Sequence, residues 1–331
     1  MLLLSKFALL IIVFWSAIAC ADPNYAGNAS AQVIIDQLVA EEGFDRQELE
    51  GVFASAERKD SIITAMSRPA EKTKAWYEYR AIFLTDKRET QGVAFYEQHR
   101  ETLMRAEQEF GVPAEMIVAI IGVETLYGAI TGSYRVIDAL STLAFDYPKR
   151  STFFTKELKH FLVLAREQGL DPLTLKGSYA GAMGLGQFMP SSYRAYAVDF
   201  DGDDLIDIWN NPVDAIGSVA NYFKSHGWNA GDPVVYAATA NNDVPDAMFV
   251  QKRSDLKPTY TVAEFSEAGV TVEQELDPQQ KVTAMKFALE EGYEYWLGLH
   301  NFYVITRYNH SAMYAMSVYQ LSQGIDGKLA K

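Results

Sequence analysis

A chain of 331 residues that is 49% hydrophobic and 22% charged has enough apolar material for more than one core, which excludes disorder as its default state. Its 43 Asp and Glu against 29 Lys and Arg give a formal charge of −14, so nucleic acid and anionic membrane surfaces are repelled, and a polymeric ligand has to be held by stacking and hydrogen bonds. Cys20 is the only cysteine, which excludes a disulfide within the chain.

The first residues, MLLLSK, lead into the apolar run FALLIIVFWSAIA and then Cys20, Ala21 and Asp22. One positive residue (Lys6), an apolar centre and small residues before a polar start predict a secretory signal over residues 1–21. The run is short for a membrane span, and no later stretch has the roughly 18 continuous apolar residues that another would need, so an exported and otherwise soluble protein is expected. Ala17-Ile18-Ala19-Cys20 resembles a bacterial lipobox, in which the cysteine becomes the lipid-bearing first residue, although Ala17 stands where Leu is commonest. Ala19-Cys20-Ala21 also fits ordinary signal-peptidase cleavage. The expected location is the periplasm, either free or with an outer-membrane lipid anchor through Cys20. Without residues 1–21 the chain keeps 28 Lys and Arg against 43 Asp and Glu, a charge near −15.

From Ala31 to about Glu107 apolar residues recur at three- and four-residue steps and no strand-like alternation intervenes, which predicts helices, with ends at Arg68-Pro69 and Leu84-Thr85. Pro113 is placed to open a new helix, AEMIVAIIGVETLY, that stops at Gly128. Helical segments (TKELKHFLVLAREQG, SVANYFKSHGW) then alternate with two loops, GSYAGAMGLGQFMPSSY and DFDGDDLIDIWNNP. Between about Pro233 and Val282, short β-branched runs such as VVYAAT and TYTVAEF predict a small strand-containing insert. The remainder, from EYWLG through RYNHSAMY to SQG, reads as a return to helix.

One residue stands out. Ile117, Ile120, Ile121 and Glu124 follow helical spacing, so Glu124 points where the isoleucines point, inward or into a cleft floored by them. Apolar neighbours, the negative end of the helix dipole before Gly128, and the lack of a basic residue within seven positions would each raise its pKa. A carboxyl kept protonated is what a general acid needs. The plainer alternative is a buried Glu satisfied by an Arg or backbone partner from elsewhere. The Gly-rich loop adds Ser178, Gln187, Phe188, Ser191 and Ser192, groups suited to bonding and stacking on sugars, on a backbone that a ligand can approach closely. It lacks the Gly-Lys-Ser/Thr ending of a phosphate loop.

With VPAEMIVAIIGVETLYG, LAFDYPKR, GSYAGAMGLGQFMPSSYRAYAVDFDGDDLIDIW, DAIGSVANYFKSHGW and YWLGLHNFYVITRYNHSAMYAMSVYQL in the same order, the sequence resembles the bacterial lytic murein transglycosylases, most closely the membrane-bound type B family. The resemblance implies a mainly α (α+β) fold: a helical domain over 22–110, a lysozyme-like catalytic core over 111–232, a small β-containing insert over 233–285, and a return to the core over 286–331. It implies that Glu124 is the only catalytic carboxyl. Glu124 would protonate the oxygen between N-acetylmuramic acid and N-acetylglucosamine, then take the proton from the muramyl C6 hydroxyl as that oxygen attacks C1 and closes a 1,6-anhydro ring. Because the substrate supplies its own nucleophile, the second carboxylate of ordinary glycosidases is not needed, and water has to be kept out.

The resemblance also implies polar contacts from Ser178 and Gln187. An aromatic wall of Phe188, Tyr222, Tyr308 and Tyr314 would be completed by Asn309 and Tyr79, and Lys149-Arg150 form a basic pair for peptide or lactyl carboxylates. Phe153 stands where a relative has Tyr, which removes one hydrogen bond. For each aromatic taken alone, core packing is the competing role. Peptidoglycan glycan strands are the expected partner of a monomeric protein, cell-wall synthesis proteins are further candidate partners, and no catalytic cofactor is expected. A lysozyme-type hydrolase and a non-catalytic peptidoglycan-binding protein are the rival readings.

DFDGDDLIDIWNNPVD places Asp199, Asp201 and Asp203 at alternate positions, then the carbonyl of Leu205, a pattern of the EF-hand Ca²⁺ kind. Asp204 occupies the usual Gly position, and Asn210 stands where a twelve-residue loop has its bidentate Glu. Relatives close a longer loop with a later Asp, which here is Asp214, so a structural Ca²⁺ is expected; a solvated acidic loop is the alternative.

Overall fold

Side-chain caps start three of the short helices described in the N-terminal third. The computed structural model describes residues 24–67 and 74–330, so the signal segment with Cys20 and the helix end at Arg68-Pro69 lie outside the described residues. Asn28 accepts the first free amides of α1 (Ala29–Glu42) and Asp45 does so for α2 (Arg46–Ser55). After α3 (Asp60–Met66) and α4 (Trp76–Phe83), Leu84 ends one helix and the Thr85 hydroxyl starts the next, α5 (Asp86–Gln98). α6 (Arg100–Phe110) leads to Pro113, which stands just outside α7 (Ala114–Thr125) as its cap residue.

α7 is the centre of the molecule. Its flanks touch α5, α6 and two later helices, α11 (Pro212–Ser225) and α14 (Ala312–Leu329). Nearly all of its apolar residues from Ala114 to Val123 are buried, whichever way they point. A helix apolar on all sides belongs inside a core, so the Ile spacing marks burial without singling out one face. Around it lie α8 (Val136–Asp146), α9 (Ser151–Glu167), α10 (Pro190–Tyr196) and a two-residue hairpin of β1 (Tyr134–Arg135) with β2 (Lys176–Gly177).

The five-stranded antiparallel sheet has the order β4-β6-β7-β3-β5 and is built from β3 (Val235–Ala240), β4 (Tyr260–Thr261), β5 (Val270–Val272), β6 (Lys281–Ala288) and β7 (Tyr293–Gly298). The strands depart from the sequence expectation at two places. TYTVAEF contributes only two strand residues, because Thr261 and Glu264 form a capping box that starts helix α12 (Val262–Glu267). EYWLG is strand rather than helix, and the strands continue to Gly298. The cause lies in β6, which is buried on both faces. Val282 and Ala284 join a small core with Phe249 and Phe265, while Met285 and Phe287 face the main core, where Phe287 meets Trp76 at 4.8 Å between ring centres. A strand sandwiched in this way has no apolar–polar alternation to read. The chain ends in two helices, α13 (His300–Tyr308) and α14, separated by a turn at Asn309–Ser311.

Candidate active site

Glu124 occupies the last turn of α7, half-buried, and lines a groove of about 960 Å³. The helix stops one residue later because Leu126 and Tyr127 adopt left-handed backbone (φ 51 and 59), and the amide of Tyr127 reaches back to the carbonyl of Ile121. These are costly conformations for non-glycine residues. Packing holds them in place. Tyr127 is wedged where Gly92 of α5 and Gly122 of α7 leave room; a Cβ at either glycine would fall 2.6 Å from its hydroxyl oxygen. That hydroxyl donates to the carbonyl of Arg88 at 2.8 Å, and the Arg88 guanidinium donates to the carbonyl of Gly122. Distance along the chain therefore misled: no base lies within seven residues of Glu124, yet the fold brings one to the end of its helix.

Two contacts fix the carboxyl against the rest of the site. Thr125, fully buried, donates to the carbonyl of Leu185 at 2.9 Å, joining the end of α7 to the Gly-rich loop. Tyr314 on α14 donates its hydroxyl to Oε1 of Glu124 at 2.5 Å. Burial first, and then the charge of Glu124, hold the Tyr314 phenol well above its ordinary pKa, and the same two causes act on Tyr308. Both phenols therefore remain donors throughout the neutral range.

The Gly-rich loop forms the groove's wall. Gln187 sits at φ 51 and gives both amide hydrogens to the carbonyls of Thr131 (3.1 Å) and Gly184 (2.9 Å), so what it has left for a ligand is its acceptor oxygen. The Ser178 hydroxyl accepts the amides of Ala180 and Ala182 and shapes the turn it belongs to. Phe188, Tyr222 and Tyr308 pack ring to ring (4.7–5.9 Å between centres), and the Tyr308 hydroxyl donates to the carbonyl of Gly186 at 2.5 Å.

Eleven of the residues singled out in the sequence line this groove: Glu124, Arg150, Phe153, Ser178, Gln187, Phe188, Ser191, Ser192, Tyr222, Tyr308 and Asn309. Tyr314 and Tyr79 are buried behind it, Tyr314 against Glu124 and Tyr79 beside Trp76 and Phe83 on α4. Lys149 is exposed outside the lining, whereas Arg150 enters it and lies over the rings of Phe153 and Phe154. Sequence reasoning missed Glu157, Arg253, Arg307 and His310, which also line the groove. Glu157 is a second carboxyl, but it is committed: its two oxygens accept the Ser191 amide (2.9 Å) and hydroxyl (2.7 Å) at the start of α10. In KELKHF it looked like one charge among several, and nothing local marked it as buried.

In the acidic loop, carboxylate oxygens of Asp199, Asp201 and Asp214 lie within 4.8 Å of one another. Asp203 and Leu205 are on the same turn, where the Leu205 amide donates to Asp203 at 2.9 Å. Asp204, at the position where such loops carry Gly, has the left-handed backbone that position requires (φ 70). Asp214 is fully buried and accepts the amides of Phe200 and Asp207, both at 2.8 Å. Burial first, and then the charges of Asp201 and Asp199, push its pKa up. A buried carboxyl with two more oxygens converging on it fits a hard cation such as Ca²⁺.

A mainly α core holding a half-buried carboxyl, bonded by Tyr314, in a groove with packed aromatic rings, closed by a small sheet, is the frame of an enzyme that works on a carbohydrate chain. The chain belongs to the family described as Transglycosylase SLT domain, which matches residues 27–323. Membrane-bound lytic murein transglycosylase B of Escherichia coli (strain K12) is 48% identical over 311 residues, covering 91% of this chain and 84% of that protein. The crystal structure of soluble lytic transglycosylase SltB1 from Pseudomonas aeruginosa superposes with a TM-score of 0.86 at 56% identity, covering 91% of this chain and 99% of that one. The Escherichia coli lytic transglycosylase Slt35 in complex with calcium does so with a TM-score of 0.85 at 46% identity, covering 93% and 96%.

Proposed function

We propose that this protein is a peptidoglycan lytic transglycosylase in which Glu124 acts first as acid and then as base. Protonated Glu124 gives its proton to the oxygen leaving C1 of N-acetylmuramic acid. The carboxylate then accepts the proton of the muramyl C6 hydroxyl as that oxygen bonds to C1, so the ring closes without water. Tyr314 holds the carboxyl in place through both steps. Phe188, Tyr222 and Tyr308 offer faces and edges to the sugars, and Gln187, Ser178 and Asn309 offer polar contacts. Arg150, in the lining, offers its guanidinium to a carboxylate.

The observation that carries this reading is the commitment of Glu157. Ordinary glycosidases need a second carboxylate as nucleophile or as base for water, and the only other carboxyl lining the groove among the described residues is spent on Ser191. A reaction whose nucleophile belongs to the substrate has no use for it.

The acidic loop is read as a structural Ca²⁺ site held by Asp199, Asp201 and Asp214, with Asp203 and the Leu205 carbonyl supplementary. The ion would tie the loop to α11 and takes no part in the chemistry. The signal-like residues 1–21 support action in the periplasm, and among the described residues no helix is long and apolar enough to cross a membrane. Attachment of a lipid at Cys20 is the anchor we favour; labelling with radioactive palmitate checks it, and an unlabelled mature protein rejects it.

Digestion of purified sacculi followed by mass spectrometry tests the activity. Muropeptides lighter by one water, with 1,6-anhydro ends, are expected. Reducing ends would assign a lysozyme-type hydrolase, and intact sacculi a binding protein.

A further inference from the structure

A second cavity, of about 540 Å³, opens beside the groove. Its walls come from three places: Lys74 before α4, Lys252, Arg253 and Lys286 from the sheet side, and His310 in the turn between α13 and α14. Arg253 and His310 also line the groove, so the two spaces run into each other.

The charge of this cavity is opposite to that of the chain. Acidic residues outnumber basic ones by 43 to 29 overall, yet four of the residues lining the cavity are Lys or Arg and none of those described is Asp or Glu. Lys286 is paired with Asp246 at 2.7 Å. Lys74, Lys252 and Arg253 are exposed, and among the described residues they form no ion pair within 4.0 Å. The field is felt locally: burial first, then the charges of Arg253 and Arg307, lower the pKa of His310. Like charges gathered round a concave surface focus their field on whatever anion enters it. Asp255 feels the charge of Lys252, but its carboxylate accepts the amides of Gln251 and Lys252 and the residue lies outside the lining of this cavity.

We propose that this cavity receives carboxylates of the peptide stem borne by the glycan lying in the groove; the inference rests on reading that groove as a peptidoglycan site. A stem reaches at most about 3.3–3.6 Å per residue when extended, so a few residues pass from a muramyl sugar in the groove into the adjoining space. Arg253, at the junction, can grip a carboxylate with its planar fork, and Lys74 and Lys252 supply point charges beyond it. The cavity makes the enzyme prefer strands that still carry their peptides to strands stripped of them.

The test compares steady-state kinetics on glycan strands with stems retained and on strands cleared by an amidase, using wild type and the double variant Lys74→Gln/Lys252→Gln. For wild type, KM on peptide-bearing strands is expected to be about three- to tenfold lower, a gap that narrows with added salt. The double variant loses the gap while its kinetics on stripped strands stay at the wild-type level, and free stem peptide inhibits wild type more than the variant. A wild type indifferent to stems, a variant that keeps the preference, or equal losses on both substrates would overturn the proposal. Failure of the underlying reading looks different, because wild type would then release no anhydro ends from either substrate.

Discussion

The hydroxyl of Tyr314 donates to Oε1 of Glu124 at 2.5 Å, joining residues 190 positions apart on α14 and α7. The phenol keeps its proton because burial and the Glu124 charge hold its pKa well above the ordinary value. It therefore fixes the carboxyl and remains a donor after Glu124 has released its proton. A hydrogen bond to a charged partner contributes about 1.5–3 kcal/mol. Tyr314→Phe is accordingly expected to lower kcat by about tenfold to a hundredfold. KM should change little, since Tyr314 stands behind the groove. Kinetics on purified strands check this, and a variant with wild-type kcat removes Tyr314 from the account.

Gly132 faces the hairpin that carries Ser178. It has φ +98, and a Cβ there would fall 2.1 Å from the backbone of Gly177 and 2.5 Å from the amide nitrogen of Ser178. Neither contact can be relieved by turning a side chain. Gly132→Ala should cost at least about 2 kcal/mol and displace the start of the Gly-rich loop. Thermal denaturation should show the loss, together with reduced activity on sacculi; an unchanged melting temperature contradicts the packing described.

How much of this was legible in the residues themselves differs from place to place. The helix carrying Glu124 and the two loops could be read because Pro113, the glycines and the alternate aspartates act locally. β6 could not, because burial on both faces erased the alternation that marks a strand, and β7, largely half-buried, carries Tyr295 and Trp296 side by side with no alternation to read. The left-handed backbone at Leu126, Tyr127 and Gln187 carries no residue-type signal, since packing from α5, α7 and the loop imposes it. In QKRSDLKP nothing local distinguishes Arg253 from a solvated charge; only the fold turns it toward the groove. Glu157 and Tyr314 became meaningful through partners 34 and 190 residues away.

Stability should fall on mild acidification. Burial lowers the pKa of His99, His226 and His310 in the folded chain, whereas in the unfolded chain they titrate near 6.5. Below that pH the unfolded state binds more protons, so stability is complete above about pH 6.5 and declines as pH drops toward the folded values. Glu115 and Asp214, raised chiefly by burial, act in the opposite sense, in the lower range where carboxylates titrate. The melting temperature is expected to be lower at about pH 5.5 than at about pH 7.5. A flat or rising profile over that interval contradicts the buried-histidine argument.

Calcium should stabilise the folded chain. A ligand at a hundredfold excess over its Kd contributes about 2.7 kcal/mol, which a thermal melt detects as a shift of several degrees. Asp201→Asn should abolish the shift at little cost to the metal-free protein, because Asp201 is exposed and its carboxylate accepts a hydrogen bond from the Asn211 side-chain amide at 2.8 Å. No shift with Ca²⁺ in the wild type rejects a site at Asp199, Asp201 and Asp214.

The central claim is that one carboxyl does the chemistry although two line the groove. Its most direct test is to compare kcat for Glu124→Gln and Glu157→Gln on the same peptidoglycan strands. Loss of a general acid and base costs about a hundredfold to ten-thousandfold, so Glu124→Gln should lose turnover to that extent or beyond while still binding glycan. Glu157→Gln should keep kcat within about tenfold, its losses falling on stability and KM through the loosened Ser191. Equal collapse of kcat in both variants would contradict the account and restore a two-carboxylate glycosidase.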